Sequence, residues 1–235
     1  GYSATVEFYN GSSWTETTDV NTARGGVVGI GQVYTAALAA TGYGPGPSPA
    51  LVEDWNGTAW TEVAEVNTGR GNVAGRGGTS TNGIIASGYS APSRTVNCEH
   101  WNGSSWTEIA EINTGRGYWT CAGTSTDAIA ANGYTTTMVA NNETWDGTSW
   151  TETGNTNSTA DSRLSGGNST AAIQAGGYIT FSPPTNTTNT EIWNGSSWTE
   201  VNNLNQKSRA SQGGGISTHA LECGGSADIP PFPAG

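Results

Sequence analysis

Trp55-Asn56-Gly57-Thr58-Ala59-Trp60-Thr61-Glu62 decides the fold, because this stretch occurs five times with small changes. It returns as Tyr9-Asn10-Gly11-Ser12-Ser13-Trp14-Thr15-Glu16, then from Trp101 to Glu108, from Trp145 to Glu152 and from Trp193 to Glu200. The first positions, 9, 55, 101, 145 and 193, lie 46, 46, 44 and 48 residues apart. A period of that length is the size of one four-stranded propeller blade. Five copies predict five blades.

Working outward from the stretch, every unit has the same order of parts. An Arg opens it: Arg24, Arg70, Arg116, Arg163 and Arg209. A Gly-rich first strand follows, over 25–31, 71–78, 117–123, 166–167 and 213–215. Gly and Ala suit the crowded strand nearest a propeller axis. An Ala/Ile second strand such as Ile84-Ile85-Ala86-Ser87 closes on Gly-Tyr at Tyr43, Tyr89, Tyr134 and Tyr178. A variable loop leads to a third strand, where Glu7, Glu53, Glu99, Glu143 and Glu191 each precede the aromatic by two positions. Asn-Gly or Asp-Gly then predicts a tight hairpin, and the fourth strand runs back through Trp-Thr-Glu. On that outer strand Glu16, Glu62, Glu108, Glu152 and Glu200 oppose pairing with a foreign sheet edge. Trp60 and Trp106, also on outer strands, are expected to be buried and to contribute about 3–5 kcal/mol each.

The predicted architecture is therefore all-β: a five-bladed β-propeller of four-stranded antiparallel blades, forming one domain over 1–235. The blades fall at 21–66, 67–112, 113–157 and 158–204, and the fifth joins 205–225 to 1–20. The chain opens with third and fourth strands and closes with first and second ones, so two half-blades from its ends complete one blade. Closure of that kind removes free edges between blades.

Composition alone argues the other way. Leu, Ile, Val and Phe number 31 of 235 residues and the net charge is −11, a combination typical of disorder. Ten Trp at fixed spacing supply the missing apolar area, since each buried Trp removes roughly 150–250 Å² from water. Eight basic against nineteen acidic residues exclude a nucleic-acid partner, which phosphate neutralisation would require. No apolar run reaches the roughly 18 residues of a membrane helix, so no membrane insertion is expected. A chain opening at Gly1 without Met is expected to be processed, or to come from a longer polypeptide or assembly.

The residues Trp193-Asn194, Trp198, Leu204, Arg209 and Gly224-Gly225 follow an order that resembles the kelch repeat, and the resemblance extends over essentially the whole chain. Trp usually stands where that family has Tyr, and Gly-Tyr where it has Gly-Gly. The Trp-Asn-Gly-Ser-Ser-Trp-Thr-Glu form is also similar to tandem repeats of predicted marine phage virion proteins. These resemblances imply a propeller scaffold, and a location on a virion or otherwise outside a cell.

Catalytic groups are few. Cys98, Cys121 and Cys223 have neither disulfide nor zinc spacing, and His100 and His219 are the only histidines. Kelch-type propellers include a copper radical oxidase, whose centre needs two His, two Tyr and a Cys. That set is not assembled in this sequence. Asp146-Gly147-Thr148-Ser149-Trp150 is one residue short of a sialidase Asp-box, and the Arg of each unit reads as the partner of a neighbouring Glu. Neither an enzyme nor a cofactor is expected.

What remains is binding. The units agree closely except in the loop after the second strand, and such loops on a rigid ring form a binding surface. Pro47, Arg94, Met138 and Phe181 are the candidates there for a protein or glycan partner. The alternative is a lectin with one sugar site per blade, built on Tyr43, Tyr89, Tyr134 and Tyr178. The Asn-x-Ser/Thr sequons at Asn10, Asn56, Asn102 and Asn194 lie in hairpin turns that explain them without glycosylation.

Overall fold

A computed structural model describes residues 2–44, 50–73, 77–117, 120–161, 163–181, 183–209 and 212–223. The chain packs as two compact units, Gly1–Gly117 and Tyr118–Gly235.

In the first unit, β1 (Glu7–Tyr9) and β2 (Trp14–Glu16) form a two-stranded antiparallel sheet. β3 (Val28–Val33), β4 (Ala36–Ala40), β5 (Val52–Trp55) and β6 (Trp60–Glu62) form a four-stranded meander in chain order. A second meander begins with β7 (Gly77–Thr79) and β8 (Asn82–Ala86). A small hairpin of β9 (Tyr89–Ser90) and β10 (Ser93–Arg94) intervenes before β11 (Cys98–Trp101) and β12 (Trp106–Ile109) complete it.

The second unit repeats the plan. β13 (Thr120–Gly123), β14 (Ala128–Ala131), β15 (Asn142–Trp145) and β16 (Trp150–Glu152) make one meander. β17 (Leu164–Gly167) and β18 (Ala172–Ala175) lead through a hairpin of β19 (Tyr178–Phe181) and β20 (Pro184–Asn186) to β21 (Thr190–Trp193) and β22 (Trp198–Val201). β23 (Gln212–Ile216) and β24 (His219–Cys223) end the unit as a two-stranded sheet. The protein is all-β, in four-stranded antiparallel sheets with the strand order of propeller blades. Among the described residues no helix is long and apolar enough to cross a membrane.

The repeated tryptophan at the end of the third strand anchors each blade. Trp55, Trp101, Trp145 and Trp193 are buried. Their indole N–H groups donate to the carbonyls of Tyr34, Ser80, Ser125 and Ser169, in the turn between the first two strands, at 2.9, 2.9, 2.9 and 2.7 Å. Burial thus costs no unpaired donor. The second Trp of each copy packs tilted against the first, with ring centroids 5.3, 5.3, 5.4 and 5.6 Å apart. Trp106 is buried as expected, and Trp150 and Trp198 are buried too, but Trp60 is half-buried and donates its indole N–H to Thr18 O at 3.1 Å.

Close approach explains the small residues. A Cβ at Gly166 in β17 would lie 2.5 Å from the carbonyl oxygen of Gly215 in β23, so at this point the two first strands meet only without a side chain. The β3 strand begins at Val28 and not at Gly25, because Gly26 turns left-handed at φ +62.

The Asn-Gly turn differs from the two-residue hairpin that the dipeptide predicts. Trp55 pairs directly with Trp60, which leaves a four-residue loop. The Asn56 side-chain oxygen accepts from the Thr58 and Ala59 amides, both at 3.0 Å. Only Gly57 is left-handed, at φ +95. An Asn that caps the following amides with its side chain has no need of the positive φ a type I′ turn demands.

Candidate functional site

The repeated Arg–Glu charge is internal in three of the units. Arg24 Nη1 lies 2.9 Å from Glu53 Oε1, Arg70 pairs with Glu99, and Arg163 Nη1 lies 3.5 Å from Glu191 Oε1; no side-chain surface of these six residues is exposed. The other oxygen of each Glu accepts the backbone amide of Asn21, Asn67 or Asn157 at 2.6, 2.7 and 2.8 Å. Each Glu thereby ties the segment that enters a blade to its third strand. Burial lowers the Arg70 and Arg163 pKa values, and the partner Glu residues oppose that shift. Three of the five unit-opening arginines are therefore structural ties, withdrawn from any ligand.

The tyrosines of the lectin reading follow the second strand in four of the five copies. Tyr43 exchanges backbone hydrogen bonds with Gly25 at 2.9 and 2.7 Å, as Tyr89 does with Gly71 and Tyr178, at 3.0 Å each way, with Asp161. The Tyr43 ring covers Gly71 so closely that a Cβ there would lie 2.5 Å from it. Tyr178 is buried, with the Arg209 guanidinium carbon 4.6 Å from its ring centroid. Tyr89 and Tyr134 are half-buried. Two of the four rings thus spend a face on packing.

The divergent loops have unlike structures. Arg94 is half-buried and lies opposite Tyr89 in the β9–β10 hairpin. Met138 is half-buried and bridges to Tyr134. Phe181 pairs through its backbone with Pro184 at the end of the β19–β20 hairpin. Pro47 lies outside the described residues. Arg94 belongs to the first unit, and Met138 and Phe181 to the second. The two histidines stand apart: His100 Nε2 is 2.6 Å from Asn82 Oδ1, and His219 Nδ1 is 3.1 Å from Thr218 Oγ1.

One feature of the first unit escaped the sequence reading: a groove of about 480 Å³ between β1–β2 and β3–β6, lined by Phe8, Tyr9, Trp14, Tyr34, Trp55 and Trp60 among others. Tyr9 and Trp14 were legible only as repeat positions. The available signal was substitution: Tyr34 stands where three other copies have Ser80, Ser125 and Ser169.

No family model matches the chain, and no curated protein matches it. Solved structures do, among 178 matching chains. One described as "Structure of YjhT" aligns with a TM-score of 0.79 at 11% identity, covering 93% of this chain and 82% of that one. A likeness at that identity establishes the fold alone, and so broad a set of matches carries no single function.

Proposed function

We propose that this chain is a non-enzymatic binding module on a five-bladed propeller scaffold, acting outside a cell or on a virion, with its partner on the face that carries the divergent loops. The observation that carries the reading is the contrast between copies. Tryptophan anchors, Asn caps and Arg–Glu ties recur almost unchanged, while the segments after the second strand form a two-residue-strand hairpin at 89–94, a single bridge at 134–138 and a longer hairpin at 178–186. Unlike loops on like blades make an asymmetric surface suited to one partner. Protein and glycan both fit that description. The test replaces the loops at 45–48 and 179–184 with Ser-Gly and measures melting temperature and partner binding together. Lost binding at unchanged stability supports the proposal. Retained binding removes this face and moves attention to the hairpin turns at Asn56, Asn102 and Asn194.

Five blades and closure by half-blades belong to the same proposal. β1–β2 is a third and fourth strand without a first and second, and β23–β24 is the reverse, so the two complement one another. Deleting 1–20 is expected to cause aggregation or severe destabilisation, and trimming 229–235 to be nearly silent. Equal tolerance of both deletions, or six blades in an experimental density map, overturns the ring.

A further inference from the structure

The groove between β1–β2 and β3–β6 concentrates aromatic surface, part of it exposed. Trp14 is 66% exposed, whereas its counterparts Trp106, Trp150 and Trp198 are each 6% exposed. Tyr34 is 71% exposed and stacks on Phe8 at 6.1 Å, and Tyr9 packs against Trp14 at 5.5 Å. Tyr34 departs from the repeat, since other copies have Ser80, Ser125 and Ser169 there, and Phe8 adds a ring at a position that varies among the copies as Asp54, His100, Thr144 and Ile192. An exposed Tyr34 that breaks the repeat and stacks on a half-buried Phe8 is not explained by blade packing.

From this we infer that the groove binds a neutral glycan, with pyranose rings stacked on Trp14 and Tyr34. This site is distinct from the loop face and independent of it. Aromatic faces carry negative quadrupole density, which suits the electropositive C–H face of a sugar. The groove volume, about 480 Å³, falls in the range of small-ligand sites. Its lining also includes Glu7 and Thr17, residues whose side-chain oxygens can accept from the hydroxyl donors of a sugar. Glu7 is the only charged residue in the lining, and with a net charge of −11 it selects against anionic sugars.

The experiment titrates the full chain with maltohexaose, cellohexaose and chitohexaose by calorimetry, with sialyllactose and a polyproline decapeptide as alternatives. Saturable binding of at least one neutral hexasaccharide is expected. Tyr34→Ser, which restores the residue of the other copies, and Trp14→Ala should each weaken it at least tenfold with little change in melting temperature. Val201→Ser, an exposed apolar residue elsewhere, should leave it unchanged. No neutral binding at millimolar concentration overturns the inference. So does binding that survives Tyr34→Ser, binding led by sialyllactose or the decapeptide, or a Trp14-dependent self-association in sedimentation, which would make a second copy the occupant.

Discussion

Arg24 and Glu53 form an ion pair at 2.9 Å in which neither side chain has any exposed surface. Glu53 also lies directly opposite Glu62 across β5–β6, as Glu99 lies opposite Glu108 and Glu191 opposite Glu200. Each Arg therefore faces the field of two carboxylates, and those of Glu99 and Glu108 both hold up the pKa of Arg70 against burial. The motif is an internal tie whose two ends depend on each other.

Removing one end should consequently cost far more than removing both. Glu99→Gln leaves Arg70 buried without its directly bonded carboxylate and should destabilise by about 3–5 kcal/mol. The double change Arg70→Met with Glu99→Leu should recover most of that loss. Urea unfolding of the three proteins measures the difference. A single-variant cost below about 1 kcal/mol would show that the tie contributes nothing.

The tryptophans should divide by position, not by number. Trp101→Ala removes a buried ring together with a 2.9 Å hydrogen bond to Ser80 O, and should cost about 3–5 kcal/mol. Trp106→Ala should cost more than Trp60→Ala, since Trp60 is only half-buried. Trp14→Ala, at a mostly exposed ring, should fall within about 1 kcal/mol. Equal costs at Trp14 and Trp101 in denaturant melts would contradict this ranking.

The blades were legible because Trp and Asn-Gly recur at fixed spacing, and a side chain as large as Trp55 or Trp101 can only be an anchor in so apolar-poor a chain. The pairing of Arg with Glu was legible for the same reason. The turn geometry was not, because Asn-Gly is compatible both with a type I′ hairpin and with the side-chain cap seen at Asn56. The groove was hidden by the repeat itself: Tyr9 and Trp14 match their counterparts in sequence, and only tertiary packing separates an exposed Trp14 from a buried Trp106.

Thr41 is a site of stored strain. It is fully buried with φ +58, and its hydroxyl has no hydrogen-bond partner. The matching position in the fourth copy is Gly176, also left-handed at φ +65. A β-branched residue there carries about 1–3 kcal/mol of backbone strain. Thr41→Gly should therefore be neutral or stabilising by about 1 kcal/mol despite the lost methyl group, and a drop in melting temperature of several degrees would refute it.

Glycines in first strands should differ in the same way. Gly166→Ala brings a Cβ against the Gly215 backbone, which cannot yield as a side chain can, and should cost about 1–3 kcal/mol or more. At Gly29 in β3 a Cβ meets nothing within 4 Å, so Gly29→Ala should be neutral or slightly stabilising. Comparable losses at both sites would remove the argument from crowding.

Asp146 gives the turn of one blade a pH response that the others lack. Its Oδ1 accepts from the Thr148 amide at 2.8 Å, the Thr148 hydroxyl at 2.7 Å and the Ser149 amide at 2.9 Å. The Thr148 side-chain bond leads in lowering its pKa, from the ordinary 3.8 to about 2, although the residue is exposed. The folded value lies below the unfolded one, so the contribution to the turn is complete above 3.8 and is lost as pH falls through about 2. Asn56 occupies the same place in another blade with the same amide bonds and no titrating group. Carboxyl chemical shifts should therefore give Asp146 a midpoint near 2. Amide protection of Thr148 and Ser149 should fall over that interval while that of Thr58 and Ala59 holds. In Asp146→Asn the two turns should behave alike at every pH. A midpoint near the ordinary 3.8, or parallel loss of protection in both turns, would mean that the three bonds to Asp146 do not persist in solution.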